Sequence, residues 1–166
     1  MKVMQCLWFD KDMDAALRFY VLLVPGSSLD WNTTLPTDSP AGPPGSVKMA
    51  GFTLGKQRYM AFEAGRQEAF NHNVSILIEC DSQAEIDRLW DALSDGGAPL
   101  ECGWIRDRWG LYWQITPRRL LELMNDPDRA KAKRVADAML TMVKLDIATL
   151  EAAAEGRTHS SAPVYR

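Results

Sequence analysis

Residues 80–100, CDSQAEIDRLWDALSDGGAPL, repeat the pattern of residues 9–29, FDKDMDAALRFYVLLVPGSSL, 71 positions further along the chain. In each stretch an aspartate follows a short apolar run, apolar residues then recur at helical spacing, and a glycine marks the end of the helix. The equivalent positions are Asp10 and Asp81, Phe19 and Trp90, Gly26 and Gly97, and Leu29 and Leu100. They predict an internal strand-helix-turn-strand repeat, in which each copy leaves one sheet face bare and needs the other copy to cover or continue it.

Local signals set the elements inside each copy. The spacing predicts a first helix from about Met13 to Leu23, which ends at Pro25-Gly26, and a second helix opened by the capping box Ser82-x-x-Glu85. Proline and glycine between residues 36 and 46 predict a loop. The predicted strands are 3–9, 29–35, 47–54, 56–63 and 74–80, and the last of them leads into the second helix.

The second copy ends in an aromatic hairpin, Cys102 to Pro117 (CGWIRDRWGLYWQITP), which holds three of the six tryptophans. The polar residues 107–110 read as its turn, with Gly110 available for positive φ. Strand alternation puts Tyr112, Gln114 and Thr116 on one face and turns Trp113 toward the helices. If the face of Gln114 lines a pocket, Trp113 belongs to the core, and only Trp104 and Trp109 remain candidates for a functional role.

Composition limits the function classes. The chain has 166 residues and a net charge of −3, with no basic stripe, so we expect no nucleic-acid partner. It has neither an apolar run long enough for a membrane span nor a charged-then-apolar leader, which predicts a cytoplasmic protein without a membrane partner. Cys6, Cys80 and Cys102 lack C-x-x-C spacing and are expected to be buried free thiols.

The chain resembles the vicinal oxygen chelate superfamily of glyoxalase I, bleomycin-resistance proteins and extradiol dioxygenases. The resemblance is carried by the string Cys6 to Asp10, the helix end Phe19-Tyr20, the loop into Pro25-Gly26-Ser27, and the run from Cys102-Gly103-Trp104 to Trp113-Gln114-Ile115. Asn125 to Asp128 and Lys144 to Ile147 extend it, and it is greatest to the PhnB-like subfamily, also described as 3-demethylubiquinone-9 3-methyltransferase-like. It implies an α+β fold of two paired βαβββ modules, about residues 1–72 and 73–117, forming a curved mixed sheet around a pocket, usually in a homodimer.

The resemblance also indicates where metal ligands would stand. In metal-using members the first and last strands of each module supply them, which here points to Gln5, Glu63, Ser75 and Gln114. Only one of these is an acid, and amide oxygens are weak ligands for a divalent ion. His72 falls in a polar connector and His159 in the tail. We therefore expect no obligate metal and no other cofactor, with Gln5, Glu63 and Gln114 as weak candidates.

Few side chains are candidates for catalysis without a metal. Glu63 is a candidate general base if it is buried, since desolvation raises a carboxyl pKa, whereas the following Gly65 favours a strand end near solvent. Arg106 and Arg108 could hold an anion or form a solvated hairpin edge. The sequence has no glycine-rich strand-to-helix fingerprint for a nucleotide-like cofactor, so the methyltransferase description receives no support from motifs.

The C-terminal residues bear on assembly. A helix predicted over 128–150 carries an apolar stripe that needs either its own domain or a partner subunit to cover it, and a homodimer would satisfy the second alternative. With that helix the two modules are expected to form a single domain over 1–150. Residues 151–166 are expected to be a loosely ordered or packed tail without catalytic interest.

Three function hypotheses follow. The first is a small-molecule binding protein or enzyme with an aromatic pocket and no obligate metal; the second is a resistance-type protein that sequesters an aromatic compound; the third is a metal-dependent isomerase or lyase of glyoxalase type. The residues predicted to contact the ligand are Gln5, Leu7, Glu63, Trp104, Trp109, Tyr112 and Gln114.

Overall fold

In the computed structural model of the protein, residues 1, 3–65 and 68–157 are described. The chain forms two compact units, Met1–Ala69 and Phe70–Arg166. Each unit contains a βαβββ module, as predicted, and each module folds into one four-stranded mixed sheet. Among the described residues, none of the helices is both long and apolar enough to cross a bilayer.

The first unit orders its strands β1-β4-β3-β2. Its edge strand β1 runs parallel to β4, and the other neighbours are antiparallel. The elements are β1 (Gln5–Phe9), α1 (Met13–Leu23), β2 (Ser28–Thr34), β3 (Lys48–Leu54) and β4 (Gln57–Glu63).

Helix α1 covers one face of this sheet. Phe9 is buried with its ring 6.5 Å from that of Tyr20 in α1, and Asn32 on β2 donates to Asp14 at the start of the helix. Leu7 and Ala61, which stand opposite each other in the β1–β4 pairing, are buried on the same face. We call this side the helix face of the first sheet and the other its open face.

The second unit repeats this order as β5-β8-β7-β6. Its helix α2 buries the apolar stripe that the sequence predicts, and the Ser82 hydroxyl accepts from the Glu85 amide at 3.3 Å, so the predicted capping box forms. The elements are β5 (Ile76–Cys80), α2 (Gln83–Ser94), β6 (Ala98–Pro99), β7 (Trp104–Arg106) and β8 (Tyr112–Pro117).

The C-terminal part differs from the prediction. The single helix expected over 128–150 is wrong, because the chain forms α4 (Arg129–Met139) and α5 (Ile147–Ala154), preceded by the unpredicted α3 (Arg118–Met124). The break has two causes: the backbone carbonyls of Met142 and Val143 accept from the amides of Cys102 and Gly103, both at 2.8 Å, and the Asp146 side chain caps α5. Residues 151–154, assigned to the tail, belong to α5, and the predicted tail beyond residue 157 lies outside the described residues.

The apolar stripe of the C-terminal helices packs within its own unit. Val135 and Leu150 are fully buried in a cluster with α3, and Met139 and Met142 pack against it. Of the two alternatives for covering the stripe, the structure therefore shows the intramolecular one for these residues. The homodimer stays a prediction.

Candidate functional site

Three residues predicted to contact the ligand, Gln5, Leu7 and Glu63, lie on the side of the first sheet that α1 covers. Leu7 is 4% exposed and belongs to the core. Gln5 is two residues earlier on β1 and so shares the face of Leu7, at the exposed end of the strand opposite Tyr59. The prediction for Leu7 is wrong, because pairing β1 with β4 in this register turns Leu7 and Phe9 inward and Cys6 and Trp8 outward.

Glu63, the candidate general base, is committed to structure. Its Oε2 accepts from the Met13 backbone amide at 2.8 Å, and its Oε1 lies 2.7 Å from Lys48 Nζ. The Met13 amide is the first of α1, whose N-cap residue Asp12 adopts a left-handed conformation and makes no side-chain cap. Glu63 thus caps α1 from a strand 50 residues away in sequence, and it faces the helix rather than the open face.

The open face of the first sheet carries the aromatic side chains instead. Trp8 on β1 and Phe62 on β4 stand opposite each other, with ring centroids 6.1 Å apart. Trp31 on β2 pairs with Gly51 on β3, and a Cβ added at Gly51 would lie 2.2 Å from Trp31 Nε1. The indole of Trp31 therefore lies directly over Gly51. Trp8 and Trp31 are 47% and 41% exposed, so both offer ring surface to solvent or to a ligand.

A cleft of about 450 Å³ opens on this face. Its floor is formed by Cys6, Trp8 and Phe62. The proline-rich loop before β3 and the end of β4 form its walls, through Ser39, Pro40, Ala41, Val47 and Ala64. Its size is that of ordinary small-molecule sites, and its lining is mainly apolar.

Sequence reasoning missed this cleft for a definable reason. Residues 6–9 are all apolar, so period-two alternation does not say which face α1 covers. The wall contributed by 39–41 depends on a small turn in which Ser39 and Gly42 pair through their backbones. The available signal was the Trp8/Phe9 pair itself, since one of two adjacent aromatics on a strand must face away from the core.

The open face of the second sheet holds most of the predicted residues of that unit. Gln114 stands opposite Trp104 on β7 and Leu77 on β5, and its Nε2 donates to the Ser75 hydroxyl at 2.8 Å. Tyr112 lies on the same face, and its ring is 6.0 Å from that of His72. Trp113 is fully buried on the α2 side, as alternation predicts.

The turn of the aromatic hairpin is organised by Asp107. This carboxylate is 2% exposed; its Oδ1 accepts from the amides of Trp109 and Leu111, and its Oδ2 accepts from the indole of Trp113 at 2.8 Å. Arg108 pairs with Asp95 at 2.6 Å and lies over the Trp109 ring, 5.5 Å from its centroid. Trp109 and Arg108 therefore fasten the turn to the end of α2, and Arg106 is left exposed on β7.

The predicted metal ligands do not make a fitting set within the first unit. Gln5 and Glu63 stand at opposite ends of the β1–β4 pair, four residues or about 13 Å apart. Both carboxylate oxygens of Glu63 are engaged, as described above. Among the described residues, no three histidine, cysteine, aspartate or glutamate side chains come together in a way that could hold an ion. His72 is an exposed residue next to the second sheet, and His159 lies outside the described residues.

The three cysteines are free but differ in exposure. Cys80 is buried, and burial is the main cause that raises the pKa of its thiol to about 11. Cys102 is half-buried, whereas Cys6 is exposed, so the expectation of a buried thiol is wrong for Cys6. Partial desolvation in the cleft nevertheless raises the pKa of the Cys6 thiol above its ordinary value.

Comparison with known proteins agrees with this architecture. A family profile described as 3-demethylubiquinone-9 3-methyltransferase matches residues 1–116. The PhnB protein of Bacillus cereus is 26% identical, with a TM-score of 0.63 over 70% of this chain and 99% of its own. Among curated proteins, no sequence matches the chain.

Two further solved structures share the fold. Protein PA1353 of Pseudomonas aeruginosa is 24% identical, with a TM-score of 0.54 over 70% of this chain and 97% of its own. The trypanothione-dependent glyoxalase I of Leishmania major is 13% identical, with a TM-score of 0.50 over 82% of this chain and 98% of its own. The fold is thus of the glyoxalase/bleomycin-resistance type, within the vicinal oxygen chelate superfamily. The chain belongs to the PhnB-like family described as 3-demethylubiquinone-9 3-methyltransferase.

Proposed function

We propose that this protein binds a small aromatic molecule in the cleft on the open face of its first sheet, without an obligate metal. The observation that carries the proposal is the cleft itself, about 450 Å³ with a floor of Trp8, Phe62 and Cys6. Aromatic rings give large, rigid contact area and favour offset or edge-to-face stacking with a planar ligand. The open face of the second sheet, with Trp104, Tyr112 and Gln114, is a second candidate surface for contacts to the same class of ligand.

Metal independence is part of this proposal and is supported by the donor chemistry. Glu63 is the one acid among the family-implied positions. One of its carboxylate oxygens pairs with Lys48, and the other accepts from the first amide of α1. Gln5 and Gln114 offer amide groups, which supplement carboxylates and imidazoles in a divalent site but rarely replace them.

The proposal also includes a homodimer in the cytoplasm. The family resemblance supports the dimer, and three free cysteines are typical of a reducing compartment. Light scattering coupled to size-exclusion chromatography measures the mass directly: we expect twice the mass of one chain, 18.6 kDa. A mass of one chain at micromolar concentration would contradict the dimer.

Quenching of tryptophan fluorescence by neutral aromatic compounds, in chelator-treated protein, tests the binding proposal. We expect micromolar binding that is unchanged by the chelator and at least tenfold weaker in Trp8→Ala. Leu22→Ala is the matched control, because Leu22 is 84% exposed on α1, on the opposite side of the sheet. If no compound binds, or if Trp8→Ala and Leu22→Ala bind alike, the cleft is not the site.

Recovery of the bound compound decides between binder and enzyme. Unchanged ligand after prolonged incubation favours sequestration, and a product favours catalysis. Binding that appears only after a divalent ion is added would favour the metal-dependent alternative.

A further inference from the structure

The described residues that line the cleft offer little that could satisfy a charge. Among its described residues, Cys6, Trp8, Pro40, Ala41, Val47 and Phe62 are all uncharged. Because the Cys6 pKa is raised by desolvation, its thiol is protonated and neutral at physiological pH. An ionised ligand group placed against this lining would lose hydration without gaining a counter-charge.

Two polar side-chain groups of the described lining, the Trp8 indole N–H and the Ser39 hydroxyl, are already engaged. Trp8 Nε1 donates to the carbonyl of Gly65 at 2.6 Å. The Ser39 hydroxyl accepts from the Ala41 amide at 3.2 Å and lies 3.4 Å from the carbonyl of Gly42, so it closes its own turn. A ligand with several hydrogen-bonding groups would find few partners here, and unsatisfied buried polar groups weaken binding.

The described charged residues that adjoin the lining in sequence do not serve the cleft. Lys48 follows Val47, but in the β3–β4 pairing it stands opposite Glu63, on the helix face of the sheet. There it pairs with Glu63 at 2.7 Å and with Asp14 at 3.6 Å. Asp38 precedes Ser39 and is exposed, where water screens its charge.

We infer that the cleft selects uncharged aromatic compounds with few polar groups, and discriminates against carboxylate, phosphonate and ammonium analogues of the same ring. This inference rests on the proposed function and names the ligand class of that site.

Three probes with one ring system test it: 1-naphthol, 1-naphthoate and 1-naphthylmethylammonium, titrated calorimetrically at pH 7 and low salt. We expect naphthol to bind at least tenfold more tightly than either ion. If none of the three binds, the proposed function fails together with the inference. If naphthoate or the ammonium compound binds as tightly as naphthol, the site stands and the neutral ligand class is overturned.

Two aspartate variants locate the discrimination in the cleft. Ala41→Asp puts a carboxylate on the wall, whereas Thr37→Asp puts one on the same loop at an exposed position that is not among the described lining residues. We expect Ala41→Asp to tighten the ammonium probe and weaken naphthoate by severalfold each, with Thr37→Asp close to the unmodified protein. Equal effects of the two variants, or none from Ala41→Asp, would overturn the assignment of the ligand class to this cleft.

Discussion

Replacement of Glu63 separates a structural carboxylate from a catalytic one. Glu63→Gln keeps an amide oxygen that accepts from the Met13 amide but removes the charge that faces Lys48. Glu63→Ala removes both interactions. The two variants therefore dissect the helix cap from the ion pair.

The structure sets the expected magnitudes. Loss of a side-chain cap costs about 1 kcal/mol of unfolding free energy. The ion pair contributes about 0.5 kcal/mol, because the Lys48 side chain is 40% exposed and water screens it. Lys48 stays hydrated when its partner is lost, so no unpaired buried charge adds to the cost. We expect Glu63→Gln to destabilise the protein by about 0.5 kcal/mol and Glu63→Ala by about 1.5 kcal/mol.

Urea unfolding followed by far-ultraviolet circular dichroism measures these differences, and hydrogen exchange at the first turn of α1 localises them. Exchange should rise in Glu63→Ala and change little in Glu63→Gln. Glu79→Gln and Glu79→Ala are matched controls, since Glu79 is exposed on β5. Equal losses in the two Glu63 variants would refute the cap. Loss of ligand binding in Glu63→Gln at unchanged stability would place Glu63 in the site after all.

The same pair gives a pH dependence. The hydrogen bond to Glu63 is the main cause that raises the pKa of Lys48. A lysine pKa raised by folding adds stability that is fully present below the ordinary lysine pKa and is lost as the pH rises through the folded value. The effect is small for so exposed a group. It should be weaker in Glu63→Gln, where only Asp14 still raises the Lys48 pKa, and it should be reduced by salt.

Three further perturbations test the second unit and the thiols. In urea unfolding, Gly103→Ala should lower the free energy of unfolding by about 2 kcal/mol more than Gly110→Ala does. Both glycines have positive φ, but an added Cβ at Gly103 would lie 2.9 Å from a backbone carbonyl oxygen, whereas at Gly110 nothing lies within 4 Å. Equal losses in the two variants would contradict the close packing at Gly103. Asp107→Asn places an amide N–H opposite at least one of the three N–H donors that the carboxylate now accepts from. It should lower the free energy of unfolding by about 1–3 kcal/mol and shift tryptophan emission to the red. A stability equal to that of the unmodified protein would count against the buried acceptor. A thiol reagent at pH 8 should label the exposed Cys6 rapidly, with a rate that rises with pH. Cys80 should react only on unfolding, since burial raises the pKa of its thiol to about 11. Labelling of Cys80 in the folded protein would disprove its burial.

Local sequence signals predict the elements better than the site. The Ser82 and Glu85 capping box and the inward turn of Trp113 depend on neighbours within a few residues, and both are confirmed. The Glu63 cap joins residues 50 positions apart, and the cleft wall at Ser39 depends on how a proline-rich loop folds back. Such contacts are set by tertiary packing, which periodicity and capping patterns do not predict.

The break at 140–146 has the same origin. The spacing of apolar residues continues through this segment and favours one long helix, but the carbonyls of Met142 and Val143 are taken by the amides of Cys102 and Gly103. Gly103 permits this approach, because any side chain there would collide with Leu145. Hydrogen bonds to the distant turn before β7 thus override local helical spacing.

The concentration of tryptophan in the last hairpin therefore has a structural cause. Trp113 fills the core under α2 and needs a partner for its indole N–H, which the buried Asp107 supplies while it also holds the turn. Trp109 packs beneath Arg108, whose ion pair with Asp95 ties the turn to α2. Of that group only Trp104 shares the open face with Gln114. Exposed aromatic surface is instead concentrated in the first unit, where Trp8 forms part of the cleft floor and Trp31 lies over a glycine. That is where the proposed planar ligand would have rings to stack on.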